Sequence, residues 1–245
     1  MKSLLLCLSL ACAAPAAALQ ATEPDTYPNA HLLVDSSWVT EHHAEPGVVL
    51  VDVREAAAYA AGHLPGAVSL PRAVSFDPKR SGDRVPKALF EKELSARGIA
   101  PTDHVVLYDG GRSTEAPRVF WTFESFGHAK VSVLDGGSAR WVAEGNELVK
   151  EAPERTPTTY AFGKAPERMS TKDEILAGLD TPETCVVIDA RSAGEYAEAH
   201  VPGALHIEWL ENFTDEEVPV FLPAKELAQL YAERGVVKDH RAHAY

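Results

Sequence analysis

Short apolar runs pattern the chain. Val-Val-Leu-Val leads into Asp52, His-Val-Val-Leu into Tyr108, and Cys-Val-Val-Ile into Asp189, while Val-Ser-Val-Leu ends at Leu134. Runs this short and this rich in β-branched residues suit strands buried on both faces. Between them the period changes. Residues 55–60 suit a short helix. Ala88, Leu89 and Leu94 give residues 86–97 a helical rhythm that Pro86 opens and Gly98 closes. Further helices are expected up to Phe126 and around Trp141. Gly-His-Leu-Pro-Gly at residues 62–66 reads as a turn, followed by a strand at 67–70. This alternation predicts an α/β fold, a parallel sheet with helices on both faces.

The pattern occurs twice. VVLVDVREAAAYAAGHLPGAVSL begins at Val48 and CVVIDARSAGEYAEAHVPGALHI at Cys185, in register and 137 residues apart. Asp52 matches Asp189, Arg54 matches Arg191, Tyr59 matches Tyr196, and His63 matches His200. Without a gap the register runs on to RGIAPTDHVVLY, ending at Tyr108, over RGVVKDHRAHAY, ending at Tyr245. Two tandem units are predicted, over residues 31–145 and 171–245, with the polar, proline-bearing stretch 146–170 as a linker. The second is expected to be incomplete, because residues 109–149 of the first have no counterpart.

Composition narrows the class. With 245 residues, 45% hydrophobic and 24% charged, the chain is ordinary globular material. Its net charge of −13 argues against nucleic acid as a partner, since phosphate binding needs clustered Lys and Arg. The first residues read as a leader: Lys2, an apolar stretch at 4–14, and Ala16-Ala17-Ala18 as a cleavage site. That makes residues 1–18 a signal peptide and the mature protein periplasmic or secreted; an N-terminal anchor or lipidation at Cys12 are the alternatives. The leader is too short to span a bilayer comfortably. Cys7 and Cys12 leave with it, so Cys185 remains alone and is read as a buried small hydrophobe.

DVREAAAYAAGHLPGA and DARSAGEYAEAHVPGA resemble the D-x-R…G-H-x-P-G-A signature of the rhodanese superfamily. VSVLDGGSARWVAEG resembles that family's later strand, its L-D-G-G turn and its tryptophan-bearing helix. The resemblance covers residues 33–245 and, being doubled, is to tandem sulfurtransferases of the thiosulfate or 3-mercaptopyruvate type. It implies two rhodanese-like domains, the first non-catalytic and the second carrying the chemistry. The implied reaction moves sulfane sulfur from a small donor such as thiosulfate or 3-mercaptopyruvate to cyanide or a thiol through a persulfide. It calls for no metal, no organic cofactor and no membrane span. The nucleophile of such enzymes opens a loop between a strand and a helix. There, loop N–H groups and the helix N-terminus favour an anion and depress the nucleophile's pKa.

In the first unit the nucleophile's place is held by Asp109. A carboxylate carries no sulfur, so Asp109, Gly110, Gly111 and Arg112 are expected to form an inactive loop, one that keeps an anion nest. Asp52, Arg54, His63, Asp189, Arg191 and His200 are read as structural: ion pairs at strand ends and hydrogen-bonded turn histidines. Arg191 is also a candidate substrate contact. The arginine that such enzymes carry six positions after the second D-x-R aspartate is Glu195 here, which disfavours a carboxylate-bearing donor. Glu41-His42-His43 is read as a solvated helix end rather than a metal site, and residues 214–217 as a helix-opening or loop charge run.

In register, the position after Tyr245 is the counterpart of Asp109, so the nucleophile is expected there and no catalytic residue within the 245. Three readings of this boundary stand side by side: a UGA codon for selenocysteine translated as a stop, a nonsense mutation, or a cloning or assembly artefact. A selenol, more acidic and more nucleophilic than a thiol, suits the site. The function classes are an exported sulfurtransferase and a non-catalytic rhodanese-like module that binds an anion or a partner. Arsenate reduction and phosphatase chemistry, which occur on related loops, form a third.

Overall fold

The computed structural model describes residues 26–111, 114–165 and 169–245, so the expected signal peptide lies outside the described residues. The first unit contains β1 (Leu33–Val34), α1 (Ser36–His42), β2 (Val48–Asp52), α2 (Ala56–Ala61) and β3 (Val68–Ser69). It continues with a hairpin of β4 (Phe76–Asp77) and β5 (Arg80–Arg84), then α3 (Lys87–Ala96), β6 (His104–Tyr108), α4 (Ala116–Phe126), β7 (Val131–Leu134) and α5 (Gly137–Ala143). The second unit contains α6 (Lys172–Leu179), β8 (Cys185–Asp189), α7 (Ala193–Glu198), β9 (Leu205–His206), α8 (Ala224–Glu233) and β10 (Arg241–Ala244).

The first sheet has the order β1-β7-β6-β2-β3, and every pairing in it is parallel. Its centre explains the uninterrupted apolar runs. Val49 and Val51 of β2 face one core with Val105, Leu107, Phe90 and Phe123, while Leu50 faces the other with Val106, Tyr108 and Trp141. A strand covered on both faces has no solvent side on which polar residues could alternate. The second sheet, β10-β8-β9, repeats the arrangement β6-β2-β3, again parallel. Register carries over as well: Asp52 lies opposite Tyr108, and Ala244 opposite Ile188, one step before Asp189.

Two expectations change on meeting the fold. In α3 it is Phe90 and Leu94 that are buried, while Leu89 is 43% exposed. A spacing of four residues keeps two side chains on one helix face, and Leu89 sits to its side. Of the two readings of residues 214–217, the structure shows the loop.

The stretch read as a linker is, through Phe162, part of the first unit. Val149 bridges His63, Arg155 donates to the Gly98 carbonyl, and Thr158 donates to the Ser95 and Ile99 carbonyls. Tyr160 and Phe162 then enter the core beside Phe90, Phe123 and Phe126. The apolar alternation Tyr160-Ala161-Phe162 was the available signal, masked by the prolines and charges around it. Phe162→Ala is expected to destabilise the first unit by about 3–5 kcal/mol, the usual range for emptying a buried aromatic site. Chemical denaturation monitored by circular dichroism measures this loss.

Candidate functional site

The C-terminal end of β2 is held by a buried charge. Asp52 is fully buried, and Arg54 turns back on it. Arg54 Nε lies 2.9 Å from Oδ1, its Nη2 2.5 Å from Oδ2, and its backbone amide 3.0 Å from Oδ1. The same Nη2 donates to the Gly62 carbonyl at 2.7 Å, which fixes the turn after α2. From the neighbouring strand, Tyr108 donates its hydroxyl to Asp52 Oδ2 at 2.9 Å and accepts the Leu64 amide at 3.1 Å. A buried carboxylate is tolerable only when its acceptors are satisfied, as they are here. Burial, reinforced by the charge of Asp52, pushes the Tyr108 hydroxyl pKa up, so this group stays a neutral donor. His63 stacks on Tyr59 at 3.8 Å and places Nδ1 3.0 Å from the Tyr59 carbonyl, while the Tyr59 hydroxyl donates to the Ala67 carbonyl.

The second unit rebuilds this clamp. Arg191 Nε lies 3.0 Å from Asp189 Oδ1, and Nη2 lies 2.6 Å from Oδ2 and 2.7 Å from the Ala199 carbonyl. Tyr245 accepts the Val201 amide at 2.8 Å, in the role of Tyr108, and its ring lies under the Arg191 guanidinium at 5.3 Å. His200 stacks on Tyr196 at 3.8 Å and sets Nδ1 2.8 Å from its carbonyl. Ala199 replaces Gly62 without changing the turn. Gly62 has φ 162° and Ala199 φ −165°, extended backbone that any residue adopts. Two of the three Arg191 nitrogens are committed to the clamp, so the geometry gives this residue a structural place first. Its hydrogen bonds hold the Asp189 carboxyl well below the usual aspartate range, against the opposing effect of burial.

The loop after β6 closes around its own first residue. The Asp109 carboxylate is buried and fills it: Oδ1 accepts the Gly111 amide at 2.9 Å, and Oδ2 accepts the Glu115 and Ala116 amides at 3.1 Å each. These are loop and helix-start amides of the kind that hold an anion in such a loop. The protein's own carboxylate is the anion here. The Asp109 carbonyl also accepts the Ser138 amide, tying this loop to the Asp-Gly-Gly turn before α5. A Cβ on Gly137 would come within 2.5 Å of that carbonyl, so the close approach requires glycine. Gly110 lies within this loop; Arg112 lies outside the described residues.

The remaining candidates sit elsewhere. Cys185 is buried at the start of β8, a whole strand from Asp189, or about 13 Å at the usual rise per residue. His42 pairs with Glu45 at 2.9 Å, and among the described residues no group of His, Cys, Asp and Glu side chains is arranged to hold a metal ion. No helix among them is long and apolar enough to cross a membrane. Glu195 caps α7 through Ser192.

Residues without an assigned role join the two units. Asp135, in the turn before α5, accepts the Phe221 amide at 3.0 Å, Arg140 lies 3.3 Å from Glu216, and Tyr27 donates to the Leu222 carbonyl. Contacts between units leave no period in the sequence.

Comparison with known proteins agrees with this architecture. The chain matches the Rhodanese-like domain family over residues 35–144 and 171–241. It is 32% identical over 232 residues to a Saccharopolyspora erythraea protein named "Putative thiosulfate sulfurtransferase", covering 87% of this chain and 81% of that one. A Mycobacterium bovis protein named "Putative thiosulfate sulfurtransferase SseA" is 32% identical over 225 residues, covering 84% and 74%. The crystal structure of SseA from Escherichia coli, described under the rhodanese fold and mechanism of 3-mercaptopyruvate sulfotransferases, superposes with a TM-score of 0.76 at 28% identity, covering 87% of each chain.

The depressed Asp189 pKa has a direction in pH. Its stabilising contribution is fully present above the unfolded aspartate value, about 3.9, and is lost as pH falls through the lower folded value. Acid unfolding of the second unit, followed by hydrogen exchange of β8 and β10, is therefore expected to set in below about pH 4. Asp189→Asn should weaken the unit at neutral pH and flatten this acid limb; a variant that keeps the parent's acid profile would count against the clamp.

Proposed function

The chain belongs to the rhodanese family, and from that membership we propose that it is a sulfurtransferase whose chemistry belongs to the second unit. The reading is carried by the relatives named for thiosulfate sulfurtransfer, which align with most of the chain at 31–32% identity. The two clamps add support. In the first unit the residue after Tyr108 opens the loop, and in the second the same framework leads to the position after Tyr245. A thiolate or selenolate there takes the sulfane sulfur of thiosulfate, breaking its S–S bond and releasing sulfite, or the thiol sulfur of 3-mercaptopyruvate, breaking its C–S bond and releasing pyruvate as its enolate; it holds that sulfur as a persulfide or its selenium analogue and yields it to cyanide or a thiol. The first unit is non-catalytic, because Asp109 both replaces the nucleophile and occupies the anion nest. Export through the apolar leader is part of the same proposal.

Two expected outcomes test it. The 245-residue chain should produce no thiocyanate from thiosulfate and cyanide above a control without enzyme, because its Cys185 is buried at the wrong end of β8. The protein from its native source, loaded with thiosulfate, should carry one added sulfur atom on the residue following Tyr245, and a UGA codon there would identify selenocysteine. Turnover that depends on Cys185, or a native protein that gains no sulfur, would overturn the assignment. Mass spectrometry of the exported form should find residues 1–18 removed.

A further inference from the structure

A cavity of about 520 Å³ opens in the first unit, at the end of the sheet away from the Asp109 loop. Val48, His104 and Val131, the first residues of β2, β6 and β7, all line it. His104 and Tyr108 stand at opposite ends of β6, about 13 Å apart at the usual rise per residue, so the cavity is separate from the loop. Backbone hydrogen bonds preform it. The His104 amide donates to the Gly47 carbonyl at 2.7 Å, and the Val105 amide to the Lys130 carbonyl at 2.9 Å. Gly47, at φ 84°, leads into β2 in a left-handed conformation that favours glycine.

The lining is aromatic and basic. Trp38 of α1 packs against the His42 ring at 4.6 Å and meets the His104 ring edge to face at 5.1 Å. Ser132 donates its hydroxyl to the His31 carbonyl at 2.7 Å, so its oxygen accepts from His104 Nε2, also at 2.7 Å. That sets the proton of the neutral ring on Nε2 and makes Nδ1 the atom that gains a proton when the ring is charged. His42 Nδ1 lies 2.9 Å from Glu45, the one carboxylate among the residues lining the cavity, and its Nε2 lies 3.9 Å from Glu41. The His31 ring and the Lys130 ammonium have no hydrogen bond or ion pair among the described residues.

Four basic side chains thus meet one carboxylate, in a chain whose 36 Asp and Glu outnumber its 23 Lys and Arg. They crowd one another. Burial, then the charges of Lys130, His31 and His42, hold the His104 pKa below the ordinary histidine value. The remaining ionisable neighbour of His104 is His128, which is buried against the Asp103 carbonyl and the Tyr160 hydroxyl. An anion relieves such crowding. A metal would need imidazoles arranged to share it, and among the described residues no such group exists.

We infer that this cavity is a binding site for an aromatic carboxylate, whose ring lies against Trp38, Pro46 and Val131 and whose charge meets Lys130 and the protonated rings of His31 and His104. Its volume falls in the range of small-molecule sites, and its walls combine apolar surface with a few polar groups as such sites do. Binding takes up protons, so affinity rises as pH falls through the histidine range. The site belongs to the first unit alone and does not rest on the sulfurtransferase reading.

The test titrates phenylacetate, phenylacetamide, acetate and benzylamine into the 245-residue protein, following amide and histidine ring chemical shifts. Phenylacetate should bind saturably, with shifts centred on Trp38, His104 and Lys130. Neutral phenylacetamide and ringless acetate should each bind about tenfold more weakly, and benzylamine not at all. Phenylacetate affinity should rise about fivefold between about pH 8 and about pH 6. Lys130→Gln and Trp38→Leu should each weaken phenylacetate about tenfold, and His31→Gln and His104→Gln should each shrink the gain on acidification. Circular dichroism checks that each variant is folded. His31 and Lys130 are exposed, so their variants decide if Trp38→Leu or His104→Gln does not fold. No saturable binding of phenylacetate, equal binding of phenylacetamide or acetate, preference for benzylamine, affinity independent of pH, or a folded Lys130→Gln that binds like the parent would each overturn the inference.

Discussion

A carboxylate buried at the end of a strand, gripped by the arginine two residues later, is the constraint on which both units depend. Asp52 and Asp189 have no exposure to water, so each must find its partners within the protein. The arginine fork supplies them, and its Nη2 reaches on to a turn carbonyl eight residues away. A tyrosine from the adjacent strand then ties in the residue beyond that turn, by accepting the Leu64 or Val201 amide. One ion pair thereby aligns three pieces of chain: the strand, the turn closing its helix, and the strand whose end opens the functional loop. Breaking one partner leaves a buried charge unmatched, which is far costlier than the loss of a surface pair.

On that shared frame the copies diverge in their loops and turns. In the first, the loop amides are satisfied by Asp109, and the loop closes on itself. A carboxylate placed there fixes the loop without an external ligand. In the second, the turn after β9 has Trp209 where the first unit has Arg72, and the segment that follows is acidic. The skeleton tolerates these exchanges because the turn is held by its backbone amides, not by the side chains that changed.

The units also support one another. Asp135 and Gly136, in the turn before α5, receive the 220–222 segment of the second unit: the Phe221 amide on a carboxylate, and Val220 packed so closely that a Cβ on Gly136 would meet it at 3.2 Å. That turn is bonded in turn to the Asp109 loop. The Asp109 loop of one unit and the 220–222 segment of the other are thus joined through a single turn.

Much of this was legible in the residues alone. A strand covered on both faces must be apolar throughout, so β2, β6, β7 and β8 announced themselves as runs, and the helices between them dictated parallel pairing. The repeat paired Asp52 with Asp189, Arg54 with Arg191 and Tyr108 with Tyr245 before any distance was known, because a duplicated clamp keeps its chemistry at fixed spacing. Tertiary structure decided the rest. That Tyr160 and Phe162 enter the first core depends on where the chain leads after α5, and no local rule reports that. That Asp109 fills its own loop depends on amide directions up to seven residues away. That Trp209 and Tyr245 bond Ala190 from opposite sides depends on β8 lying between two strands that are distant in sequence. Periodicity records which face of an element is buried; only the packed chain sets which distant groups meet across it.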